Sequence, residues 1–247
     1  MNTAAPHPKR ALYIAVAISL LILLVGAWLV LYCWYPQAFW QASGVLGIAA
    51  YAVWAQLGIT ALLLLPWRNR SKSRASVQSD VAFLVFVMLS AALFSLSYLF
   101  AGRPVALVFA VDRVVLVRAN EIRTVELATD RVLSKDLRVS GPLQLIAARP
   151  SSDSERLNSI QLAMAGYDLH QRPGFWIDID AQRTSFSQKA RSVDELDTLT
   201  SKRLAEHDNP QANWALFLPL DGVRGNWALI LDSGLKAFKP LKMDSIN

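Results

Sequence analysis

The chain is poor in the residues that most chemistry needs: it has one cysteine, three histidines and, in its first hundred residues, a single acidic side chain, Asp80. Cys33 has no partner for an intrachain disulfide, and Tyr32 before it spoils the small-residue context of a lipoprotein cleavage site. His7, His170 and His207 stand at no ligand spacing from one another or from a Cys or carboxylate cluster, which leaves no metal-binding pattern and implies no cofactor. Gly-rich phosphate loops and a Gly-x-Ser-x-Gly nucleophile turn are absent. Charge is missing altogether from Trp34 to Gly44.

What the chain has instead is three long apolar runs, Ala11–Cys33, Val45–Leu65 and Val81–Phe100. At about 1.5 Å rise per residue, each is long enough for a hydrocarbon core of about 30 Å. The expected fold class is therefore a membrane protein, with three N-terminal transmembrane helices (about 11–33, 45–65 and 81–100) followed by a small α+β exported domain. A cleaved signal peptide is the alternative for the first run. That run exceeds the usual apolar length of about 7–15 residues, and no small-x-small pattern follows it.

Charge sets the expected orientation. Lys9 and Arg10 precede the first run, and Arg68, Arg70, Lys72 and Arg74 separate the second from the third. By the positive-inside rule the N-terminus and second loop are cytoplasmic, and everything after Phe100 lies across the bilayer. The expected localisation is thus the bacterial inner membrane, multi-pass, with a periplasmic C-terminal domain. Up to residue 102 there are six Lys/Arg against one Asp, and beyond it nineteen against eighteen Asp/Glu. Of the net charge of +6, +5 thus sits in the first part, which forms an expected membrane domain, 1–102. The near-neutral remainder, 103–247, shows no basic stripe with interleaved aromatics, so nucleic acid is not an expected partner.

The second part is long enough for one core without disulfides. Val105–Val111 and Val114–Arg118 read as strands joined at Asp112-Arg113, Asn120–Leu127 as a short helix, and Leu143–Ala148 as a strand after Gly141-Pro142. Ser152–Glu155 and Ser192–Glu195 are capping boxes that predict helices to about Ala165 and Glu206. Trp214–Leu220, Asn226–Leu231 and Leu235–Leu241 read as a meander with turns at Asp221-Gly222 and Asp232-Ser233-Gly234.

Several residues invite two readings. Asp178 and Asp180 alternate on one expected strand face, suited either to acid and base work or simply to solvent. Ser233-Gly-Leu-Lys236 has Ser-x-x-Lys spacing in what reads as a hairpin turn. Gly44, Gly47, Ala52, Ala55, Gly58 and Ala61, with Gln56 and Thr60, give the second run a close-packing face, and Ala91 and Ser95 give the third another. Such faces pack either against a client helix or against the protein's own helices. Asp80 reads as an interfacial or helix-capping acid; Trp34, Trp40, Trp67 and Tyr98 read as an aromatic belt, with Trp34-Tyr35-Pro36 a landing site for a partner. Arg103 and Arg113 either grip a carboxylate or phosphate with their planar forks, or serve as a headgroup anchor and a hairpin tip with Asp112.

The Trp34-Tyr35-Pro36 step, the passage from the third run into Gly102-Arg103-Pro104-Val105 and Leu107–Arg113, and Gly141-Pro142 before an apolar strand resemble the TfpX/TfpZ family of type IV pilin accessory proteins. Gly166–Leu169, Arg172-Pro173 and Leu218-Pro219-Leu220 before a hairpin extend that resemblance over nearly the full length, while the C-terminal Pro240-Leu-Lys-Met-Asp departs from it. The resemblance implies a non-catalytic, chaperone-like protein that assists or modulates pilus assembly by engaging the major pilin, whose N-terminal helix is long and apolar. Inner-membrane lipids are the other expected partner, and the oligomeric state stays open. Expected partner-binding residues are Trp34, Tyr35, Pro36, Gln56, Arg103, Pro104, Asp112 and Arg113. Two other classes stand beside this one: a membrane-tethered periplasmic enzyme acting on pilin or glycan, and a ligand-sensing membrane module.

Overall fold

The computed structural model describes residues 8–36, 39–64, 74–122, 143–150, 152–196, 204 and 214–243; inside its first helices some side chains, those of Gln56 and Asp80 included, fall outside the description. The chain divides into two compact units. One comprises Met1–Tyr32 and Val45–Phe100, the other Cys33–Gly44 and Ala101–Asn247.

The first unit is helical. It contains α1 (Pro8–Trp28), which passes into π-helix over Leu29–Trp34, then α3 (Val45–Leu64) and α4 (Arg74–Ala101). Their apolar composition leaves many large side chains on the surface, including Tyr51, Trp54, Phe86 and Phe94.

Among the described residues, no helix is long and apolar enough to cross a membrane. This corrects the three transmembrane helices expected from the sequence, and with them the multi-pass inner-membrane localisation and its cytoplasmic and periplasmic sides. The physical reason is continuity. A crossing takes about 20 consecutive apolar residues in one helix, but α1 ends at Trp28 where π-helix begins, and α4 starts from Arg74 and takes in Asp80.

The second unit is built on an eight-stranded mixed sheet with the path β4-β3-β1-β2-β6-β7-β8, to which β5 adds by pairing with β6. The strands are β1 (Pro104–Ala110), β2 (Arg113–Arg118), β3 (Leu145–Ala148), β4 (Trp176–Asp178), β5 (Arg191–Ser192), β6 (Trp214–Asp221), β7 (Trp227–Asp232) and β8 (Phe238–Lys242). The hairpin β1–β2 and the meander β6–β7–β8 form from the apolar runs expected to make them, with the first turn one residue earlier than expected, at Val111-Asp112, so that Arg113 belongs to β2. One parallel pairing joins them into one sheet, β2 with the end of β6 through Val114↔Leu220 and Val115↔Asp221, and a second adds β3 beside β1.

Alternation along the strands feeds two faces. Leu107, Phe109, Leu116, Leu145, Ala147, Leu218, Leu229 and Leu231 fill one core. Val105, Val108, Val117, Ile146, Ala148 and Trp176 fill a cluster on the other face, where Phe217, Ala228 and Ile230 form a further one. A sheet buried on both faces needs nearly continuous apolar strands, which is why β1 and β2 read as unbroken runs.

Among the described residues this unit also contains the helices α5 (Asp153–Met164) and α6 (Arg183–Lys189). The Ser152 hydroxyl accepts from Glu155 N at 3.3 Å, so the first predicted capping box starts a helix. The second does not within the described residues: Ser192 caps a 3-10 turn over Val193–Glu195, and most of 196–206 lies outside the description. The helix expected at Asn120–Leu127 is a 3-10 turn, Ala119–Glu121, and its remainder from 123 lies outside the described residues.

Candidate functional site

The uncharged segment between the first two apolar runs is part of the sheet unit. Its short helix α2 (Phe39–Ala42) places Phe39 and Ala42, both fully buried, in the same core as Leu107, Leu218 and Leu229. The Phe39 ring meets Phe238 edge-on at 6.4 Å. Ala42 O accepts from Arg224 N at 3.0 Å, and Gly44, at φ +69°, leaves room for the Arg224 side chain. Trp34 and Pro36 are half-buried, and Tyr35 is buried.

Arg103 lies close to Tyr35 in space although 68 positions separate them. It too is buried, and that burial lowers its guanidinium pKa against a smaller opposing effect of Tyr35. Its carbonyl accepts from Ala119 N, and Pro104 pairs with Arg118 ahead of a register shift, so the junction is pinned at the root of the first hairpin. Tyr35, Arg103 and Pro104 thus form one buried joint, while Trp34 and Pro36 keep some exposure at its edge.

Asp112 and Arg113 stand at the opposite end of the hairpin, both half-exposed. Arg113 Nε donates to Asp112 Oδ1 and its Nη1 to Asp221 Oδ2, each at 2.9 Å. These hydrogen bonds hold the Asp112 carboxyl below the usual carboxylate range and raise the Arg113 guanidinium. Such an exposed network contributes little stability, but it ties the β1–β2 turn to the end of β6.

That turn carries strain. Val111 has φ +63°, and Asp112 N donates to Ala110 O at 2.8 Å, the i to i+2 bond of a γ-turn with positive φ. For a β-branched residue this conformation is an outlier. Val111 is also 78% exposed, so no burial offsets the strain. Replacing Val111 by glycine is expected to raise stability by about 0.5–1 kcal/mol in a urea titration, strain relief exceeding the entropy glycine adds to the unfolded chain. A lowered midpoint counts against strain at this position.

In the helical unit, a groove of about 180 Å³ is lined by Gly26, Ala27, Ala49, Ala52, Ala92 and Ser95 with leucine and valine side chains between them. Ala52 and Ser95 belong to the small-residue faces read from the sequence. Gly47 and Gly58 instead face open space, and Gly44 belongs to the other unit. Ser95 donates to Ala91 O at 2.9 Å, which satisfies its hydroxyl within α4. Gln56 lies on α3, its side chain outside the description.

Against curated proteins, the chain is 23% identical over 238 residues to "Fimbrial assembly protein, serogroup E1" of Dichelobacter nodosus, with 93% of each chain covered. It is likewise 23% identical over 241 residues, again 93% of each, to "Fimbrial assembly protein, serogroup I" of the same organism. The chain is similar to fimbrial assembly proteins over nearly its whole length. No family model and no solved structure matches it.

The likeness to fimbrial assembly proteins spans both units, so neither is an appendage peculiar to this chain. The acidic pair considered for chemistry has a local structural use. Asp178 ends β4 and accepts from Asp180 N at 2.8 Å, capping the 3-10 turn Ile179–Gln182, and Asp180 pairs with Arg183 at 2.8 Å. The two acids therefore do not share a strand face. Ser233 to Lys236 form the β7–β8 turn, where the Asp232 carboxylate accepts from the backbone of Lys236 and Ala237. Sequence reading missed the docking of Phe39 and Ala42. The signal was present in the unusual lack of charge from Trp34 to Gly44, a stretch with apolar residues and no polar face of its own.

Proposed function

We propose that the chain is a non-catalytic assembly factor for type IV pili that binds the pilin directly before it enters the fibre. The observation that supports this reading is the likeness to two fimbrial assembly proteins over 93% of both chains, which supports a role in pilus assembly for the protein as a whole.

Two contacts fit the geometry. The small-residue groove of the helical unit receives side chains of the pilin's apolar helix, where close approach strengthens packing. The sheet unit meets the globular part of the pilin through the exposed β1–β2 turn. Both contacts belong to one chain, so the second follows the first at raised effective concentration. Weak individual contacts then select the cognate pilin and still release it.

In-cell photocrosslinking tests this, with the photoreactive residue placed in turn at Ala52 and Arg113 and at Ser154 as an exposed control. The expected result is a pilin adduct from Ala52 or Arg113 and none from Ser154. Equal yields at all three positions, or none with pilin, would overturn direct binding.

A further inference from the structure

The sheet unit carries an open groove of about 620 Å³ whose walls come from α5, α6 and the segment after β3, with the β1–β2 turn at its rim. Three cations from separate elements line it: Arg149 just after β3, Arg156 in the second turn of α5, and Lys189 at the end of α6. All three are exposed. Among the described residues no carboxylate forms an ion pair with any of them, although Lys189 acts at longer range on Asp112.

The acid that lines the same groove, Asp153, sits in the first turn of α5, where a negative charge serves the helix's own N-terminus. Three cations facing one acid across an open groove attract carboxylates from outside and disfavour a basic partner.

The groove is not only polar. Phe109 reaches its floor, held edge-on against Phe186 at 4.9 Å, and the exposed Val111 stands at its rim. Along α5 the apolar surface continues through Leu157, Ile160 and Met164, exposed at 67%, 53% and 85%. Their spacing puts them on one helix face with nothing packed on it among the described residues, since no residue of α5 is buried. A lone inorganic anion would use the cations and leave this apolar surface wet. A nucleic acid would use the cations and want exposed aromatic faces for stacking, and Phe109 is buried.

We propose that this groove binds an acidic peptide segment of a partner protein, with carboxylates on Arg149, Arg156 and Lys189 and interspersed apolar side chains on Val111 and the outer face of α5. This inference does not depend on the partner being pilin.

The test uses the full-length chain and a fluorescein-labelled peptide of repeated Glu-Glu-Leu, followed by anisotropy. The acidic peptide is expected to bind at least about tenfold more tightly than the same peptide with Gln for Glu, and to weaken as salt rises. The double change Arg156→Glu with Lys189→Glu is expected to weaken it at least about tenfold, because each reversal replaces attraction by repulsion. Carbodiimide coupling gives an independent readout on the unaltered protein: an amide between a peptide carboxylate and Lys189 Nζ, located by mass spectrometry, is the expected product. Equal binding of the Gln peptide, tighter binding of polyglutamate or of a single-stranded oligonucleotide than of the Glu-Glu-Leu peptide, or coupling spread evenly over the lysines would each overturn the proposal.

Discussion

Truncating Phe39 to alanine is expected to cost about 3–5 kcal/mol, the range for removing a fully buried aromatic ring from a close-packed core. The ring is completely buried and packs edge-on against Phe238 in a core shared with strands from both ends of the sheet. Its removal would also loosen a segment joined to the sheet unit by the Arg224 N to Ala42 O bond, so the cavity would not close by simple collapse. In a two-domain chain of this length, about 2–4 °C of melting temperature per kcal/mol makes the loss easy to see. Leu157→Ala, at an exposed position on α5, is the matched control and is expected to shift stability by less than about 0.5 kcal/mol. Similar losses for the two variants in thermal or urea melts would mean that the segment 34–44 is not anchored through Phe39.

This anchoring marks where the sequence was legible and where it was not. The strands of the hairpin and of the meander follow local signals, since β-branched and apolar runs around Asp112-Arg113 and Asp221-Gly222 leave few alternatives. Their union into one sheet does not. The parallel pairing of β2 with β6 joins segments about a hundred residues apart and touches β6 only at Leu220 and Asp221, so no local pattern announces it. Similarly, an apolar run gives the same periodic signal whether its surroundings are protein or lipid. Hydropathy therefore led to three crossings and to a loop at Trp34–Gly44, whereas that loop is a structural piece of the sheet unit.

Site residues divided on the same principle. Asp112 and Arg113 were recognisable as an exposed polar tip between two apolar strands, but the turn itself is Val111-Asp112 and Arg113 opens β2. Tyr35 and Arg103 were singled out separately, and their convergence comes from the folded sheet rather than from spacing. The groove cations were invisible as a set: Arg149, Arg156 and Lys189 come from three elements, one of which, α6, no sequence signal had outlined.

Gly222→Ala is the second substitution with a large expected effect, about 2–5 kcal/mol, because two independent costs meet there. The residue has φ +77°, which an L side chain occupies only with strain. A Cβ built there would also lie 2.6 Å from Leu116 O and 3.3 Å from Leu116 N, both backbone atoms of a central strand that cannot swing aside. The chain runs this close because Gly222 directly follows Asp221, which pairs with Val115 of β2, and so comes beside Leu116, while Arg118 Nη2 donates to the Gly222 carbonyl at 2.9 Å. Turn chemistry alone predicts glycine here, yet the close approach makes the larger part of the penalty. Gly225 separates the two terms. It has φ +88° but nothing nearer to a built Cβ than Trp227 Nε1 at 3.9 Å, so Gly225→Ala is expected to cost only the conformational part, about 1–2 kcal/mol. If urea titrations give equal losses for the two alanine variants, the approach of Gly222 to Leu116 has slack, and the Asp221 contact with Arg113 rather than backbone packing fixes where β6 ends.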